Sequence, residues 1–409
     1  MYRRQYPDAP GPGSSMGDSH TRVSYRRNPN FFERIGNSLV GILVGIALLV
    51  VASGLLFWNE GRAVQTAKSL DEGLSIVVSL ENIDVPFDQN NGKLVHLVGP
   101  LKTEKSLLDP TYNIRVNAVK LRRTVEMYQW VEHESKREYN EGGQTRVEKT
   151  YSYTQEWRSE IIRSQSFDNM VGHNNPTSMP VTSQMQTADV VHVGGFELSG
   201  GLIGKITDFK KINPSAMSPP SDPKIQMLEG VYYHSHYPLQ PQIGDLRVTF
   251  EYAGISGESL LGQPDTVSII ARQIRHRLLP FQTVAGDVLE MLYTGRLSPK
   301  EIFGKEQQQN TFITWGVRLG GWLLMFVGFG CLTSIITTLV DWLPIIRELV
   351  AAGVGIMNLA FSISLSLTVI AIGWITYRPL LGMALLAMAA TPFIMSKFRS
   401  NRMDSRRNV

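Results

Sequence analysis

Two short motifs carry residue types that could support chemistry. His234 and His236 would place two imidazoles on one face of a strand, as a metal site requires. The segment Gly254-Ile255-Ser256-Gly257 resembles the turn that carries a serine nucleophile. Neither motif is complete, because no third ligand accompanies the histidines and the second glycine falls one residue early for Gly-x-Ser-x-Gly. A surface loop and an ordinary turn are the favoured interpretations.

An aromatic stripe is the third candidate. Tyr151, Tyr153 and Trp157 alternate with polar residues and would share one face of a strand. Such a stripe can stack a ligand, but it is more typical of the buried face of a sheet. The chain also lacks the HExxH, P-loop, dinucleotide-binding and paired CxxC motifs. We therefore predict no catalytic residue, no cofactor and no metal ion, so the chain is not expected to be an enzyme. An enzyme remains a minor alternative, which a cleft with convergent ionisable groups would favour.

Four apolar stretches would set the position of any functional site in this chain. They cover residues 35–58, 319–339, 350–375 and 380–395. Each is close to the roughly 20 residues that a helix needs to cross a bilayer. Residues 59–314, between the first two stretches, are polar and patterned as strands. The sequence thus predicts an α+β membrane protein, with one N-terminal and three C-terminal transmembrane helices flanking a large β-rich domain.

The charge of the two tails predicts the orientation. Residues 1–34 and 396–409 are rich in arginine, and short basic flanks remain on the cytoplasmic side of a membrane. Four crossings return the chain to its starting side, so both tails are expected to be cytoplasmic or nucleoplasmic. Residues 59–314 would then be luminal, and residues 340–349 would form a short cytoplasmic loop. The first apolar stretch is longer than a signal peptide needs and lacks a small-residue cleavage site.

Composition refines these assignments. Residues 1–34 contain mainly Pro, Gly, Ser and Arg, which predicts disorder in this tail. The only cysteine, Cys331, lies in the second span, so the luminal domain must fold without a disulfide. Both Asn-x-Ser/Thr sites considered, at Asn175 and Asn213, have the excluded proline. The absence of these features favours an internal membrane over the plasma membrane.

Alternating apolar and polar residues predict strands in the luminal domain. A long hairpin is expected over residues 121–162, with its turn at Gly142-Gly143, and another strand over residues 246–252. The remaining elements are shorter. Strands are predicted at 74–79, 93–98 and 267–270, and weaker helical patterns lie near 59–73 and 298–309.

The spans themselves contain hydroxyl and amide side chains but no acidic, basic or histidine residue deep within them. Ionisable residues mark most ion and proton paths, so helix packing is favoured over conduction. The pairs Gly41 and Gly45 in the first span, and Gly316 and Gly320 at the second, have the Gly-x-x-x-Gly spacing that permits close helix contact. This spacing is common in any glycine-bearing span.

Taken together, several sequence blocks resemble the LUMA family, also called transmembrane protein 43. The resemblance runs from about residue 31 to the end of the fourth span. Its specific blocks are residues 59–63 (NEGRA), 118–123 (AVKLRR), 125–132 (VEMYQWVE), 151–153 (YSY), 156–162 (EWRSEII), 244–248 (GDLRV), 338–342 (TLVDW) and 377–380 (YRPL).

The resemblance implies a four-pass protein of the endoplasmic reticulum and inner nuclear membrane. It implies association with lamins and emerin, a role in nuclear-envelope organisation, and links to gap-junction and signalling complexes. No catalytic residue is described for the family. A functionally sensitive serine in the third span corresponds here to Ser364.

Residues and resemblance together lead to one hypothesis and one rival. The hypothesis is a membrane scaffold that forms homo-oligomers in the lipid bilayer and binds lamins and emerin-like proteins, but not nucleic acid. Its lamin contacts would use the tails or the loop at residues 341–348. The rival is a channel, or a regulator of channels or gap junctions, built from spans two to four. Polar side chains converging on a water-accessible path would favour that rival.

Overall fold

The computed structural model describes residues 19–141, 143–214, 219–220, 222–257, 259, 261–340 and 344–380. The predictions for the fourth span beyond Leu380 and for the tail at 396–409 lie outside these residues. The helices are α1 (Phe31–Ile76), α2 (Gly200–Gly204), α3 (Pro299–Leu339) and α4 (Pro344–Tyr377). In chain order the strands are β1 (Ser19–Arg27), β2 (Val78–Ser79), β3 (Leu94–Thr103), β4 (Leu107–Asp109), β5 (Ile114–Val116), β6 (Ala118–Glu141), β7 (Gln144–Arg158), β8 (Gln184–Thr187), β9 (Val191–Val193), β10 (Phe196–Leu198), β11 (Lys210–Lys211), β12 (Gln226–Leu228), β13 (Val231–His234), β14 (Leu246–Ile255), β15 (Thr266–Ile274), β16 (Arg277–Leu279), β17 (Phe281–Gln282), β18 (Val288–Leu289) and β19 (Met291–Thr294).

Three of the helices are long and apolar enough to cross a membrane. Two of them begin at capping boxes. In this motif the residue before the helix and the third helical residue each accept, through the side chain, a hydrogen bond from the other residue's backbone N–H. At the start of α1, Asn30 Oδ1 accepts from the Glu33 N–H and Glu33 Oε2 accepts from the Asn30 N–H, both at 2.8 Å. Ser298 and Glu301 form the same arrangement before α3. The α+β membrane architecture is thus confirmed.

Both α1 and α3 extend beyond the predicted spans into the polar region. The helical patterns at residues 59–73 and 298–309 are continuous with the first and second spans, because no proline separates the apolar and polar parts. The strand prediction at residues 74–79 is wrong for its first part, because the residues up to Ile76 belong to α1. Similarly, α4 begins at Pro344, so helix occupies part of the predicted loop at 340–349.

Strand pairings build a closed ring close to the helices. β3, β15, β16, β10 and β9 each pair with the next, and β9 returns to β3. A hydrophobic cluster forms the core, with Phe196, Ile269 and Leu278 fully buried. Most of its residues come from these five strands and α2, and β6, β14 and β19 contribute others. Predicted strands at 93–98 and 267–270 correspond to β3 and β15.

A second sheet of eight strands carries the long hairpin. β6 and β7 pair from Met127 opposite Arg158 to Glu141 opposite Gln144, as the alternating pattern predicted. Gly143 in the turn has φ of +85°, a conformation that favours glycine. The base of the hairpin packs with β13 and β14 around Tyr112 and Phe250. Beyond this base, every residue of β6 from His133 to Glu141 is exposed.

The N-terminal tail differs from its prediction. Disorder is wrong for Ser19–Arg27, since these residues form β1 along the open edge of β7. The physical reason is that an edge strand offers unpaired backbone groups to any extended segment. Eight of the nine β1 residues are exposed, so backbone hydrogen bonds dominate the pairing.

This pairing is incompatible with a membrane-inserted α1. Arg27 lies opposite Gln144, and α1 begins at Phe31, so the hairpin turn lies beside the start of α1. The base of the hairpin belongs to the domain at the other end of α1. A bilayer around the apolar part of α1 would therefore have to contain charged strands, which hydrocarbon excludes. In one molecule, β1–β7 pairing and insertion of α1 exclude each other.

The polar ends of α1 and α3 are part of the domain core. Leu70 of α1 and Ile302 and Phe303 of α3 are buried with Leu94, Leu289 and Met291 of the strands. A Cβ on Gly73 would lie 2.9 Å from the Phe303 ring, so the absence of a side chain there permits this packing. The membrane helices and the β-domain therefore share one hydrophobic cluster.

A buried histidine at this junction predicts a pH dependence. His96 of β3 contacts the Leu297 carbonyl at 2.9 Å, and burial lowers the pKa of its imidazole. Below about pH 6.5 the unfolded chain binds a proton that folded His96 resists, so the free energy of unfolding falls as the pH falls. We expect His96→Gln to flatten the decrease in unfolding midpoint of the full-length protein between pH 7.5 and 5.5. His236→Gln, at an exposed position, serves as the control; an unchanged slope for His96→Gln would contradict the assignment.

Candidate functional site

A band of aromatic residues marks the end of the apolar region nearest the β-domain. Trp58 of α1, Trp315 of α3 and Trp374 and Tyr377 of α4 lie at this level. Tryptophan and tyrosine concentrate where hydrocarbon meets the polar headgroups of a bilayer. We call the buried and half-buried polar side chains at this level the boundary network. Its members are Asn59, Glu60, Arg62, Asn310, Thr314, Arg318 and Trp374.

An ion pair lies at the centre of the boundary network. Arg318 Nε and Nη2 donate to the two carboxylate oxygens of Glu60 at 2.7 and 2.8 Å. Trp374 Nε1 donates to Glu60 Oε2 at 2.8 Å. Glu60 is only 3% exposed, so its charge depends on these partners for stabilisation. One carboxylate thus connects α1, α3 and α4.

A second set of hydrogen bonds connects α1 to α3. Arg62 donates to Asn310 Oδ1 at 3.0 Å, to Thr314 Oγ1 at 3.0 Å and to Asn59 Oδ1 at 3.2 Å. Asn310 Nδ2 in turn donates to the Ala63 carbonyl at 3.0 Å. All three acceptors of Arg62 are neutral, so its positive charge is not compensated by a carboxylate within this network.

Glycines allow α4 to approach α1 at this level. A Cβ on Gly61 would lie 2.7 Å from the Tyr377 ring, and one on Gly373 would lie 2.9 Å from Glu60 Cβ. Both distances are shorter than real side chains permit. The ion pair and the two glycines therefore fix the relative positions of the helices.

The boundary network can hold helices together, but it does not contain the parts of a catalytic site. Its carboxylate is fully engaged, and it contains no nucleophile with an adjacent base. Across the part of the chain that the structure describes, no group of three His, Cys, Asp or Glu residues is arranged to hold a metal ion.

The predicted glycine pairs have different environments. A Cβ on Gly45 would lie 2.7 Å from the Gly328 carbonyl oxygen, so the structure places Gly45 at a close contact of α1 with α3. The contact at Gly41 is looser, because a Cβ on Gly41 would lie 3.5 Å from Ser334 Oγ. No described atom lies within 4 Å of a Cβ on Gly316 or Gly320, so the contact predicted for them stays a prediction. Gly321, against Leu56, makes a close contact of α3 with α1.

Ser364, the serine that the family resemblance predicts to be functionally sensitive, lies on a face of α4 that the described residues leave exposed. Ser364 is exposed, and its carbonyl accepts from Thr368 Oγ1 at 2.8 Å. Ser362 and Ser366, one turn apart, are the buried serines, and each donates to its own helix. Ser364 points away from them because two residues rotate a helix by more than half a turn. Its functional sensitivity stays a prediction.

The aromatic stripe is buried at two of its three positions. Tyr151 and Tyr153 are 7% and 6% exposed, whereas Trp157 is half-buried. Tyr153 stacks on His173 with ring centroids 3.9 Å apart and donates to Glu132 at 2.7 Å. Burial, aided by that hydrogen bond, raises the pKa of Tyr153 to about 12. The stripe packs against neighbouring loops, and Trp157 covers Tyr128.

The remaining motifs are structural. His234 Nε2 contacts the Tyr112 hydroxyl at 2.8 Å, and burial lowers the pKa of this imidazole. His236 is exposed. Ser256 Oγ lies 2.5 Å from Thr103 Oγ1, so its partner is a hydroxyl and not a histidine.

Sequence reasoning did not identify the boundary network. The segment Asn59-Glu60-Gly61-Arg62 directly follows the interfacial Trp58. Arg318 lies one residue before the predicted second span. The available signal for this network was the placement of an acidic residue after the first span and a basic residue before the second. These are the ends that lie side by side when two spans are antiparallel.

The contact at Gly45 leads to a matched prediction within α1. Gly45→Ala should lower the free energy of unfolding of the full-length protein in detergent by about 1–3 kcal/mol, because its Cβ would overlap the Gly328 carbonyl. Gly54→Ala is the control, since a Cβ there meets no atom within 4 Å. It should be neutral or slightly stabilising. Equal effects of the two substitutions would contradict the packing.

Comparison with known proteins gives consistent matches. The family model described as transmembrane protein 43 matches residues 127–379. Transmembrane protein 43 of Homo sapiens is 45% identical over 389 residues, which cover 94% of this chain and 96% of that protein. The protein of the same name from Mus musculus is 43% identical with the same coverage. A transmembrane protein 43 homolog of Drosophila melanogaster is 35% identical over 89% of this chain and 96% of its own length. No solved structure matches the chain.

Proposed function

The chain belongs to the transmembrane protein 43 family, and from that premise we propose that it is a multi-pass scaffold of the endoplasmic reticulum and inner nuclear membrane. It would organise these membranes by binding partner proteins and by self-association. The observation that carries the proposal is the continuity of α1 and α3 from the apolar region into the core of the β-domain. A scaffold needs such a rigid connection, because it must hold a binding surface at a fixed position over the bilayer.

The proposed topology has both termini on the cytoplasmic or nucleoplasmic side, four crossings, and residues 59–314 in the lumen. It requires β1 to separate from β7, and the energies favour that separation. Net hydrogen-bond gains of about 0.5–1.5 kcal/mol per bond are offset by about 1–2 kcal/mol of backbone ordering per residue. Each Leu, Ile, Phe or Val in the first span contributes roughly 0.3–0.6 kcal/mol to insertion. The free energy gained by inserting α1 therefore exceeds the free energy gained by pairing β1 with the exposed edge of β7.

The proposed partners follow from this topology. Lamins lie outside the lumen, so their contacts would use residues 1–34, the loop near Asp341–Glu348 or residues 396–409. Emerin-like membrane proteins could also contact the spans. These assignments rest on the family resemblance and on the basic charge of the two tails.

An enzymatic role has little support in the described residues. One cavity in the β-domain, of about 280 Å³, brings Asp265 and Tyr293 together. Asp265 accepts the Ile255 N–H at 2.8 Å, which makes it a structural residue of the turn. Burial, with a hydrogen bond to Glu306, raises the pKa of Tyr293 to about 12, so its phenol is a poor acid at neutral pH. We propose that the protein is not an enzyme.

The channel alternative requires polar groups along a shared path. Among the described residues, Asn358 Nδ2 donates to Thr333 Oγ1 at 2.8 Å, which bridges α4 and α3. Thr333 and Ser362 donate to carbonyls of their own helices. These bonds engage the two hydroxyls and Asn358 Nδ2 in helix packing, which supports the scaffold, whereas Asn358 Oδ1 is buried without a partner among the described residues.

Proximity labelling from each side of the membrane tests the scaffold. A labelling enzyme at residue 409 should modify lamins and inner nuclear membrane proteins, whereas one inserted at the hairpin turn should modify luminal proteins. A variant that lacks residues 1–34 and 396–409 would carry the labelling enzyme in the 340–349 loop. If the tails bind lamins, this variant should no longer label them. Absence of lamina proteins from every cytoplasmic-side sample would contradict the proposed role.

A further inference from the structure

A basic cavity lies beside the boundary network, where α1 passes the end of α4. Its volume is about 470 Å³. One face of α1 contributes Trp58, Arg62, Gln65 and Lys68, and Tyr377 of α4 lies opposite. These α1 positions are spaced by three or four residues, so they follow one side of the helix.

Two cations in this cavity have no acidic partner among the described residues. Arg62 is held by three neutral acceptors, and its Nε atom is buried without a hydrogen-bond partner. Lys68 is exposed and forms no ion pair with the described residues. The carboxylate of Glu60 is occupied by Arg318 and Trp374. The lining of the cavity thus contains two cations and no carboxylate.

Two carboxylates lie just outside the lining of the cavity and accept from neutral donors. Asp287 accepts from Gln65 Nε2 at 2.6 Å on the side of the β-domain. Glu72, one turn beyond Lys68, accepts the Val284 and Ala285 N–H groups at 3.0 and 3.2 Å. These contacts fix the loop that closes the far side of the cavity.

The position of the cavity selects the kind of anion. Trp58 and Tyr377 mark the edge of the hydrocarbon, and Arg62 lies about 6 Å further along α1 from Trp58. A layer of headgroups about 5–8 Å thick covers the hydrocarbon of a bilayer at this level. Lys68 lies further out, but a lysine side chain can extend back toward that layer. Trp58 is 58% exposed and continues into exposed Val50 and Val51, a surface suited to an acyl chain.

We propose that this cavity binds the headgroup of an anionic glycerophospholipid. Both Nη2 hydrogens of Arg62 are used and its Nε is buried, so the phosphate would accept from the Nη1 hydrogen that Asn310 does not take. Lys68 would contact the outer part of the headgroup. The acyl chains would lie along the exposed apolar face of α1. The inference requires only that α1 and α4 cross a membrane, and it is independent of lamin or emerin binding.

Native mass spectrometry of the full-length protein tests the site, with phosphatidylinositol and phosphatidylcholine as probes. The parent should retain phosphatidylinositol preferentially. Lys68→Gln should reduce that retention about fivefold, as expected for the loss of one cation near a lipid surface. Lys300→Gln is the matched control, because it removes the same charge from an exposed position outside the cavity. It should retain the lipid as the parent does.

Other outcomes would overturn the proposal. No preference for phosphatidylinositol over phosphatidylcholine would exclude an anionic-lipid site. Equal retention by the parent and Lys68→Gln would place any bound lipid elsewhere. If millimolar inorganic phosphate raised the melting temperature of the parent but not of Lys68→Gln, and displaced the lipid, the site would be one for free phosphate.

Discussion

Replacement of Arg318 by methionine should destabilise the helix bundle by about 3–5 kcal/mol, because it leaves the buried Glu60 carboxylate without its cation. Trp374 would remain as a donor, but a single indole N–H cannot neutralise the charge. The measurement is the unfolding midpoint of the full-length protein in detergent.

The control for this prediction removes both charges. The double variant Glu60→Leu with Arg318→Leu should recover most of the lost stability, since an apolar pair of similar size avoids a buried unpaired charge. The lost acceptor of Trp374 should retain a cost of about 1 kcal/mol. A parent-like midpoint for Arg318→Met would mean that the ion pair does not hold the three helices together.

Removal of the Phe303 ring should cost about 3–5 kcal/mol, because the side chain is 2% exposed in the cluster shared by α1, α3 and the strands. Phe312→Ala is a matched control on the same helix, since that ring is 79% exposed. It should change the free energy of unfolding by no more than about 0.5 kcal/mol. Thermal unfolding of the full-length protein measures both.

The same variant tests whether the helices and the β-domain unfold as one unit. With a shared core, Phe303→Ala should lower the midpoint of helix loss and the midpoint of strand loss together. A shift in the strand transition alone would show that the domain is attached to the bundle only by its chain connections.

The elements with strong periodic patterns could be predicted from the sequence. The three described spans, the long hairpin and strands β3, β14 and β15 all carry uninterrupted apolar or alternating runs. The extension of α1 to Ile76 was less evident, because its polar part becomes buried only through contacts with distant strands such as Leu289. Strand β1 was missed for a related reason. Its composition predicts disorder, and only the open edge of β7 makes it a strand.

The boundary network required tertiary information. Glu60 and Arg318 are 258 residues apart, and their pairing depends on the register of α1 against α3. That register is set by Gly45 with Gly328 and by Leu56 with Gly321, not by the predicted pair Gly316 and Gly320. A glycine spacing alone identifies neither the partner helix nor the face that meets it.

Protease protection in sealed membranes tests the account most directly. The protein would carry epitope tags at residue 1, at the hairpin turn beside Gly143 and at residue 409, in vesicles whose cytoplasmic face is outward. The account predicts digestion of both terminal tags, with the hairpin tag protected until detergent opens the vesicles. Digestion of the hairpin tag together with the tag at residue 1 in intact vesicles would contradict this topology. In that case β1 and β7 would lie on the same side of the membrane, and α1 would not separate the N-terminal tail from the β-domain.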